Sequence, residues 1–493
     1  MKSLLKSKFY LNPTLVASGS FCILFIALAG IYPLELRGWL AEYTFNSLEL
    51  FGNYYLYLGF FIVVCLLVVA FSPWGRLRLG KGEPEYPLFS WVAMLYSTGM
   101  GAGLLLRAVQ EPVHFLNHPP AIPDYELEVY ALQYTFFHWG LTPWAFYGMF
   151  GLIISYNLYL KKRTILSSAI LQPKYQRPLF VTPIDTVTVI STLLGVVAAV
   201  GLGSRQLMEG FAFIANIPSL HSSNAVIVVI LIGSMATFSA YLGVSKGIKI
   251  LSNLNICLAI FILSFTFLQG DVLLIGERFI LALGYYFRDF IPMSLNLGGS
   301  KVSKVFLTDW TYFYWAFWLA WAPFTGVFIA RISKGRTVRS MVLGSLLIPS
   351  MGTFFWFSVF GSEAFLMIEG VDKPEAWFDS IYTGIFHFLN FLPLSGVTSI
   401  VAFVLIATFL ITSIDSAIYV LGMFTDRGAP QPRKPLRLFW GVVLVLFTIS
   451  VILIGKEELL SSISQMLILF ALPFSFLFLG MILYFLLIMW RDR

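Results

Sequence analysis

Residues 307–339 read LTDWTYFYWAFWLAWAPFTGVFIARISKGRTVR, and this stretch decides the class of fold. Its first part, roughly twenty residues, is apolar and long enough to cross a bilayer as a helix. At 100° per residue, several of its aromatic side chains fall on one face of that helix. These are Trp310, Tyr314, Phe317, Trp318 and Trp321. Such a face suits a desolvated organic cation such as a quaternary ammonium, although plain aromatic packing inside a helix bundle produces the same pattern.

The position of these rings argues against an interfacial aromatic belt. Belts occupy the two ends of a membrane helix, whereas this face runs through the middle of the span. Pro323 removes one backbone donor inside the span, and a basic cluster closes it. The cluster consists of Arg331, Lys334, Arg336 and Arg339. The stretch is therefore predicted to be a membrane helix with one aromatic face and a basic end.

The composition of the whole chain is that of a polytopic membrane protein. Of its 493 residues, 58% are hydrophobic and only 12% are charged, which is unlike a soluble domain. The hydrophobic stretches predict twelve spans, at roughly 14–33, 51–72, 88–110, 131–159, 184–212, 223–242, 250–270, 307–331, 340–361, 395–425, 436–455 and 463–489. Several of them exceed the minimum length for crossing, so tilts or breaks are expected.

Basic residues are concentrated in every second connection between the spans. Of the 32 lysines and arginines, 23 lie in alternate segments and seven in the intervening ones. The positive-inside rule then places both termini, residues 1–13 and 490–493, in the cytoplasm, with an even number of spans. The net charge of +7 therefore reflects membrane topology and does not indicate nucleic-acid binding.

Cysteine usage and the absence of catalytic motifs exclude several functional classes. Cys22, Cys65 and Cys257 all lie inside predicted spans, so neither a disulfide framework nor a zinc site is indicated. The sequence offers no metal cluster, nucleophile triad or pair of catalytic carboxylates, which argues against an enzyme. The longest connection, 271–306, is predicted to form an interfacial amphipathic helix.

The third span contains a glycine-rich segment, STGMGAG at residues 97–103. Each glycine weakens a helix by about 1 kcal/mol relative to alanine. The segment predicts either an unwound stretch whose backbone groups meet a ligand or an ion, or close helix packing through small residues. Arg107 and Glu111 follow at i, i+4 spacing and are expected to form a surface pair near the outer end of the span. Arg205 and Glu209 are interpreted in the same way.

Two further spans carry candidate ligand-binding side chains. The fourth contains HWGLTPWAFY at 138–147, in which Trp139, Trp144 and Tyr147 fall within about 140° of arc. His138 is interpreted as a structural hydrogen-bonding residue. The tenth contains ATFLITSIDSA at 407–417, whose hydroxyls and carboxylate suit an oxygen-coordinated cation. Serine and threonine in membrane helices more commonly bond back to helix carbonyls, and the spacing alone favours that use.

Three of these segments together resemble the betaine/choline/carnitine transporter (BCCT) family. They are GMGAG…EP at 99–112, HWGLTPWAFY at 138–147 and the long, highly specific DWTYFYWAFWLAWAPFTGVFIARISKGRT at 309–337. The resemblance implies an all-α fold of twelve transmembrane helices, with a LeuT-like core of two inverted five-helix repeats, spans three to seven and eight to twelve. The implied parts are two peripheral helices (14–87), the first repeat (88–270), the interfacial helix (271–306) and the second repeat (307–489).

The resemblance also implies a substrate site, because family members hold a trimethylammonium group in an aromatic box. The matching positions are Trp139, Trp144, Tyr147, Phe317, Trp318 and Trp321. The broken helix, Met100, Gly101, Ala102 and Gly103, is expected to meet the carboxylate end of the substrate or to line the site. Family members usually carry tryptophan at the position of Phe317, so this site has room for a substrate bulkier than glycine betaine. Choline-type members tend to carry an acidic residue at the position of Gly103, so its absence favours a zwitterion.

The resemblance further implies Na+ as the coupling ion. Sodium-coupled members bind it between the broken third helix and paired hydroxyls of the tenth, and the matching residues are Ser97, Met100, Phe409, Thr412 and Ser413. A second sodium position matches Thr192 and Phe324, although its companion hydroxyl position holds Val196. Sodium-independent exchangers carry a basic side chain in the seventh span, and 251–270 has none.

The expected protein is therefore a sodium-coupled transporter of a methylated zwitterion. The resemblance implies a homotrimer, surrounded by lipid in the bacterial cytoplasmic (inner) membrane. Because the sequence stops at Arg493, regulation by the long charged C-terminal tail of osmotically gated members is not expected. Two alternatives stay open: a proton-coupled symporter or exchanger of the same fold, in which Glu111 or Asp415 titrates, and a channel or receptor gated by a quaternary amine.

Overall fold

The computed structural model describes residues 12–491 apart from 100, 173–174, 244, 370–377 and 379. The side chains at 96–99, 222 and 245–249 are also outside the described part. Within it, the chain consists of helices and short turns, and its single β-type feature is an isolated bridge between Arg78 and Thr337. The predicted all-α class is confirmed.

The first half of the chain forms eleven helices in the described part. They are α1 (Pro13–Ile31), α2 (Pro33–Phe71), α3 (Leu88–Gly99), α4 (Ala102–Arg107), α5 (Gln110–Asn117), α6 (Leu127–Trp139), α7 (Leu141–Ser155), α8 (Pro178–Ile214), α9 (Ala225–Leu242), α10 (Ser245–Gln269) and α11 (Val272–Leu295).

The second half begins with the short helix α12 and a π-helical turn, Leu307–Tyr312, that leads directly into α13. Its helices are α12 (Lys304–Phe306), α13 (Phe313–Ile332), α14 (Val338–Ile368), α15 (Gly384–Phe391), α16 (Ser395–Thr425), α17 (Lys434–Gly455) and α18 (Leu459–Arg491). Pro323 lies inside α13, and the helix continues through it to Ile332.

Nine helical segments of the described chain are long and apolar enough to cross a membrane. One of them, Lys434–Arg491, contains both α17 and α18, which are joined by a short 3-10 turn. The third and fourth predicted spans are absent from this set because each is divided into shorter helices. The two divided spans and the joined pair α17 and α18 therefore explain why nine segments are found where twelve spans were predicted. The total of twelve spans and their division into inverted repeats stay predictions.

Both broken spans have a physical reason for their break. In the third, Gly101 has an extended backbone (φ −133°, ψ 177°) directly before α4, as the weakened glycine segment predicts. In the fourth, Gly140 separates α6 from α7. A Cβ there would lie 2.5 Å from Cζ of Phe354 and 2.6 Å from the carbonyl oxygen of Phe136. Only glycine allows this close approach of α14 to the break.

The aromatic helix is the centre of the bundle. In its apolar 18-residue stretch, 83% of the residues of Lys304–Ile332 are buried, whereas the corresponding share in Ile250–Gln269 is only 22%. α13 packs against α7, α8 and α18, so its neighbours come from both halves of the chain. The predicted interfacial segment 271–306 contains α11, which packs on α6 and α14 and is not among the membrane-crossing candidates of the described chain. Its location at the membrane surface stays a prediction.

Two basic connections pair with each other at one end of the bundle, which we call the basic end. The amide of Leu79 donates to the carbonyl of Arg336 at 2.8 Å, and the amide of Gly335 donates to the carbonyl of Leu79 at 2.7 Å. The amide of Val338 donates to the carbonyl of Leu77 at 2.8 Å. The connection before α3 is therefore joined by backbone hydrogen bonds to the connection after α13.

Candidate functional site

A cavity of about 730 Å³ lies between α4, α6, α7, α8, α10, α13 and α16. Arg107 and Gln206 line one end of it, while Arg331 and Gln431 line the end that reaches the basic connections. A cavity of this volume is within the range of small-molecule binding sites in proteins.

Five of the predicted substrate-binding rings line this cavity: Trp139, Tyr147, Phe317, Trp318 and Trp321. The Trp318 ring is the neighbour of three of the others. Its centroid lies 5.0 Å from that of Trp139, 4.9 Å from that of Phe317 and 6.3 Å from that of Tyr147, with interplanar angles of 67°, 85° and 88°. Trp321 stacks on Phe317 at 6.1 Å. The rings thus meet at steep angles while all of them line one cavity, so aromatic groups of several orientations are available there for cation–π contact. We call these five rings the cage.

Trp144, the sixth predicted ring, does not line the cavity. It is buried behind Tyr147, and its ring meets that of Tyr147 edge-on at 5.4 Å between centroids. The structure therefore places Trp144 as a support for the cage, one layer away from the cavity.

Backbone carbonyls fix the two indoles that α13 contributes. Trp318 Nε1 donates to the carbonyl of His138 at 2.9 Å, and Trp321 Nε1 donates to the carbonyl of Gly195 at 2.8 Å. The His138 carbonyl lies in the last turn of α6, where carbonyls lack a partner within the helix. The break at Gly140 therefore supplies the acceptor that orients Trp318.

A buried carboxylate that the sequence did not identify as part of the site fixes the third indole. Glu111 is fully buried, and its Oε2 accepts hydrogen bonds from Trp139 Nε1 at 3.1 Å and from the hydroxyl of Tyr314. Its Oε1 lies 3.3 Å from Nδ1 of His138, whose Nε2 lies 3.1 Å from Oγ1 of Thr311. The structural hydrogen-bonding role predicted for His138 agrees with this geometry.

The predicted surface pair of Arg107 and Glu111 is wrong. Both side chains are buried, and α4 ends at Arg107 while α5 begins only at Gln110. The i, i+4 geometry is lost because the helix is interrupted between them. Pro112 is a signal for this interruption, since proline is favoured in the first turn of a new helix. Arg107 instead donates from Nη1 to Oε1 of Gln110 at 2.6 Å.

Arg205 and Glu209, the second pair predicted from i, i+4 spacing, lie close together, but Arg205 has an additional partner. Arg205 Nε lies 4.0 Å from Oε1 of Glu209, and Arg205 Nη2 lies 2.8 Å from Oε2 of Glu457. Arg205 and Glu209 are also buried rather than on the surface.

The broken third helix contributes its glycine segment to the cavity wall. Gly101, Ala102 and Gly103 all line the cavity. A Cβ added to Gly103 would lie 3.4 Å from Cη2 of Trp139, so this segment lies directly against the cage. Met100 and the side chain of Ser97 are outside the described residues, so their predicted roles stay predictions.

The predicted residues of the tenth span, Phe409, Thr412 and Ser413, also line the cavity. The hydroxyl of Thr412 lies 3.0 Å from the carbonyl oxygens of Thr408 and Phe409, which is the back-bonding that such residues commonly form. Its oxygen also accepts from Nδ2 of Asn255 at 3.3 Å. The Asn255 Oδ1 is buried and has no hydrogen-bond partner in the described chain. An unsatisfied amide oxygen beside the Thr412 hydroxyl, in a cavity that Ser413 also lines, offers oxygen ligands that suit a hard cation.

The two residues of the predicted second sodium position differ in their surroundings. Phe324 lines the cavity, whereas Thr192 is fully buried and donates to the carbonyl of Thr188 at 2.8 Å. The structure therefore does not bring the Thr192 hydroxyl to the cavity, and this second position stays a prediction.

Comparison with known proteins agrees with this architecture. A sequence model described as "BCCT, betaine/carnitine/choline family transporter" matches residues 13–493. The chain is 36% identical over 481 residues to an ectoine/hydroxyectoine transporter of Virgibacillus pantothenticus, which covers 95% of both chains. It is 38% identical over 444 residues to a glycine betaine transporter of Bacillus subtilis, which covers 88% of this chain and 85% of that one.

A third relative is a high-affinity choline transport protein of Escherichia coli, 32% identical over 492 residues, which covers 96% of this chain and 71% of that one. Among solved structures, a mutant manganese transporter of Eremococcus coleocola is similar with a TM-score of 0.47 and 14% identity, over 81% of both chains. A likeness of that degree carries no argument about function.

Proposed function

Since this chain belongs to the betaine/carnitine/choline (BCCT) family of transporters, we propose that it takes up a betaine-type zwitterion together with sodium by alternating access. Membership of the family makes it a membrane transporter and not an enzyme. The kind of solute, the coupling ion and the direction of transport are the proposed parts.

The aromatic cage is the observation that carries the proposal. An onium group that leaves water loses hydration, and several π faces around it replace part of that loss. One such contact is worth about 2 kcal/mol or more when it is desolvated. The rings of Trp318 and Trp139 are mutually tilted and held by hydrogen bonds, so little conformational entropy is lost when the solute binds.

The names of the relatives support a small solute that is either an onium compound or a related cyclic compound. Their names refer to glycine betaine, ectoine and choline, and of these we propose a zwitterion. Phe317 lines the cavity beside Trp318 and is smaller than the tryptophan that the family usually carries there. The proposed site therefore accepts a head group at least as large as trimethylammonium.

Sodium is the proposed coupling ion because oxygen ligands gather beside the cage on α16. Thr412 and Ser413 would supply hydroxyls and Phe409 its carbonyl oxygen, and Asn255 adds an amide oxygen from α10. Bound sodium supplies a positive charge that holds these elements together. Coupling follows if that arrangement is also the one that binds solute, since each ligand then raises the affinity for the other equally.

The position of the cavity supports an inward-facing conformation. It extends from the cage to Arg331 and Gln431, and the basic end is the one that the positive-inside rule assigns to the cytoplasm. We propose a location in the bacterial cytoplasmic membrane with both termini in the cytoplasm, and a homotrimeric assembly like that implied by the family resemblance.

Uptake of labelled glycine betaine into proteoliposomes, with and without a sodium gradient, tests the proposal. Accumulation above the external concentration that requires sodium supports it, and unchanged uptake in sodium-free buffer contradicts the coupling. Equilibration without accumulation would indicate a channel. Dependence on a proton gradient without any response to sodium would indicate the proton-coupled alternative, for which Asp415 is available in the cavity wall.

A further inference from the structure

We propose that Arg107 binds the carboxylate of the transported zwitterion and thereby makes the site select zwitterions over simple cations such as choline. This inference rests on the proposed function and specifies the substrate class of the same site. It concerns a residue that neither the aromatic cage nor the glycine segment includes.

The guanidinium of Arg107 is buried, and it has no ion-pair partner among the residues that the structure describes. Arg107 is only 6% exposed, and its Nη1 donates to the neutral amide oxygen of Gln110. Its Cζ also lies 4.9 Å from the ring centroid of Trp310. In the described chain, the carboxylates that form ion pairs do so with other cationic side chains. A buried charge without a counter-charge is unfavourable, unless a ligand supplies the opposite sign.

Among the described residues, the neighbouring titratable groups Glu111, His114 and His138 form no hydrogen bond or ion pair with this guanidinium. The two carboxylate oxygens of Glu111 are occupied by Trp139, Tyr314 and His138. On the other side of Trp310, burial together with His118 and Arg107 lowers the pKa of His114 to about 4. His114 is therefore neutral at pH 7, and Arg107 is the charge that a solute meets at this end of the cavity.

Arg107 has the right position relative to the cage. It lines the cavity together with Gly103 and Trp139. Gly103 and Arg107 are four residues apart in α4, so they share one helix face about one turn apart. Because Gly103 lies against the Trp139 ring, the Arg107 side chain begins roughly 6 Å along the helix from the cage. A solute with an onium group in the cage can direct its carboxylate to this guanidinium.

The same geometry disfavours a solute that has only a positive charge. Choline would bring its ammonium group into the cage without an anionic group for Arg107, so the buried guanidinium would stay uncompensated and repel it. An arginine can also hold a carboxylate through two parallel hydrogen bonds, which lysine cannot do. The preference for a carboxylate should therefore depend on both the charge and the planar shape of this side chain.

Ligand binding to purified protein tests the inference independently of transport. The probes are two matched pairs with and without the carboxylate charge, glycine betaine with choline and ectoine with its methyl ester. Dissociation constants are measured in sodium-containing buffer by tryptophan fluorescence for the wild type, Arg107→Gln, Arg107→Lys and the control Arg288→Gln. Arg288 is exposed on α11 and is not part of the cavity wall.

We expect Arg107→Gln to weaken binding of the carboxylate-containing probe by about tenfold or more, the effect of losing a hydrogen bond to a charged group. Binding of choline or the ester should be unchanged or tighter, and Arg107→Lys should retain part of the preference. A merely structural role would weaken both members of a pair alike. An unchanged ratio within a pair, in either variant that elutes as a folded protein, overturns the inference and leaves the proposed function standing. If the wild type binds neither glycine betaine nor ectoine, the proposed function is wrong and the inference falls with it.

Discussion

The carboxylate of Glu111 accepts a hydrogen bond from the indole Nε1 of Trp139 at 3.1 Å, and both groups are buried. The indole ring lines the cavity while its N–H points away from it, toward the carboxylate. This contact fixes the orientation of the ring, and the negative charge at its N–H edge increases the electron density of its π face. Glu111 is therefore a positioning residue for the cage, although it does not itself line the cavity.

Replacing Glu111 by glutamine should weaken onium binding. The amide keeps the shape of the side chain but removes the charge: with its oxygen at the Oε2 position, Trp139 and Tyr314 keep only a neutral acceptor, and with its nitrogen there both lose their acceptor. We expect a roughly tenfold rise in the dissociation constant of glycine betaine and a loss of about 1–3 kcal/mol in stability. Fluorescence titration and thermal unfolding in detergent measure the two effects.

Glu363 provides the matched control for this change. It is also buried, and its Oε1 accepts from the amide of Asp271 away from the cavity. Glu363→Gln should lower stability without changing the affinity. Equal affinities in the two glutamine variants would show that Glu111 does not position the cage.

Replacing Trp318 by leucine should abolish uptake. The ring contacts Trp139, Phe317 and Tyr147, so its loss opens the centre of the cage and removes a cation–π contact worth about 2 kcal/mol or more, roughly thirtyfold in affinity. Trp318→Phe should be intermediate because phenylalanine has a weaker π face. Trp39, which is 49% exposed, supplies the control Trp39→Leu, and a similar loss of uptake there would contradict the assignment.

Adding a methyl group at Gly195 should displace α13 from α8. A Cβ there would lie 2.8 Å from Cδ1 of Trp321 and 3.0 Å from the backbone carbon of Ala320, and such overpacking costs about 1–3 kcal/mol. Trp321 would also lose its acceptor at the Gly195 carbonyl. Gly195→Ala should therefore unfold at a lower temperature and bind glycine betaine more weakly.

Gly201→Ala on the same helix is the comparison for that variant. Its Cβ would meet only the flexible end of Ile463, at 3.3 Å, and Thr448 at 4.0 Å. Normal affinity is expected. If both alanine variants behave alike, the effect belongs to helix α8 as a whole and not to the contact with Trp321.

Replacing Thr412 by valine should raise the sodium concentration needed for half-maximal uptake by about tenfold. The two side chains have a similar shape, but valine lacks the oxygen that the proposed sodium site requires. Thr408→Val is the control, because the Thr408 hydroxyl donates to the carbonyl of Val404 one turn earlier and does not line the cavity. Sodium activation curves at a fixed betaine concentration separate the two. An unchanged curve for Thr412→Val would remove this residue from the proposed site.

The sequence predicted the part of the site that depends on the regular repeat of an unbroken α-helix. The spacing predicted one face for Trp310, Tyr314, Phe317, Trp318 and Trp321. The last four line the cavity, whereas Trp310, in the π-helical turn before α13, does not. Period arguments succeed here because the helix continues unbroken through Pro323. Trp144 matches the same kind of pattern in the fourth span and still lies behind Tyr147, because the break at Gly140 comes before it.

The sequence failed where the backbone departs from a regular helix. Arg107 and Glu111 have the spacing of a pair, but the turn at Ala108 and Val109 separates them. Neither residue is a typical turn former, so tertiary packing overrides local preference there. Asn255 was missed for a different reason: one amide within an apolar span gives no sign of its partner until α10 lies beside Thr412.

The backbone pairing between residues 77–79 and 335–338 has a mechanical consequence for transport. Together with the hydrogen bond from the amide of Glu85 to the carbonyl of Lys334, it joins the connection that leads into α3 and the glycine break to the end of α13, which carries most of the cage. If either helix tilts to admit or release a solute, these backbone hydrogen bonds transmit the motion to the other helix at the basic end. The glycine segment and the rings of α13 would then move together, and a solute would lose its contacts with both at the same time.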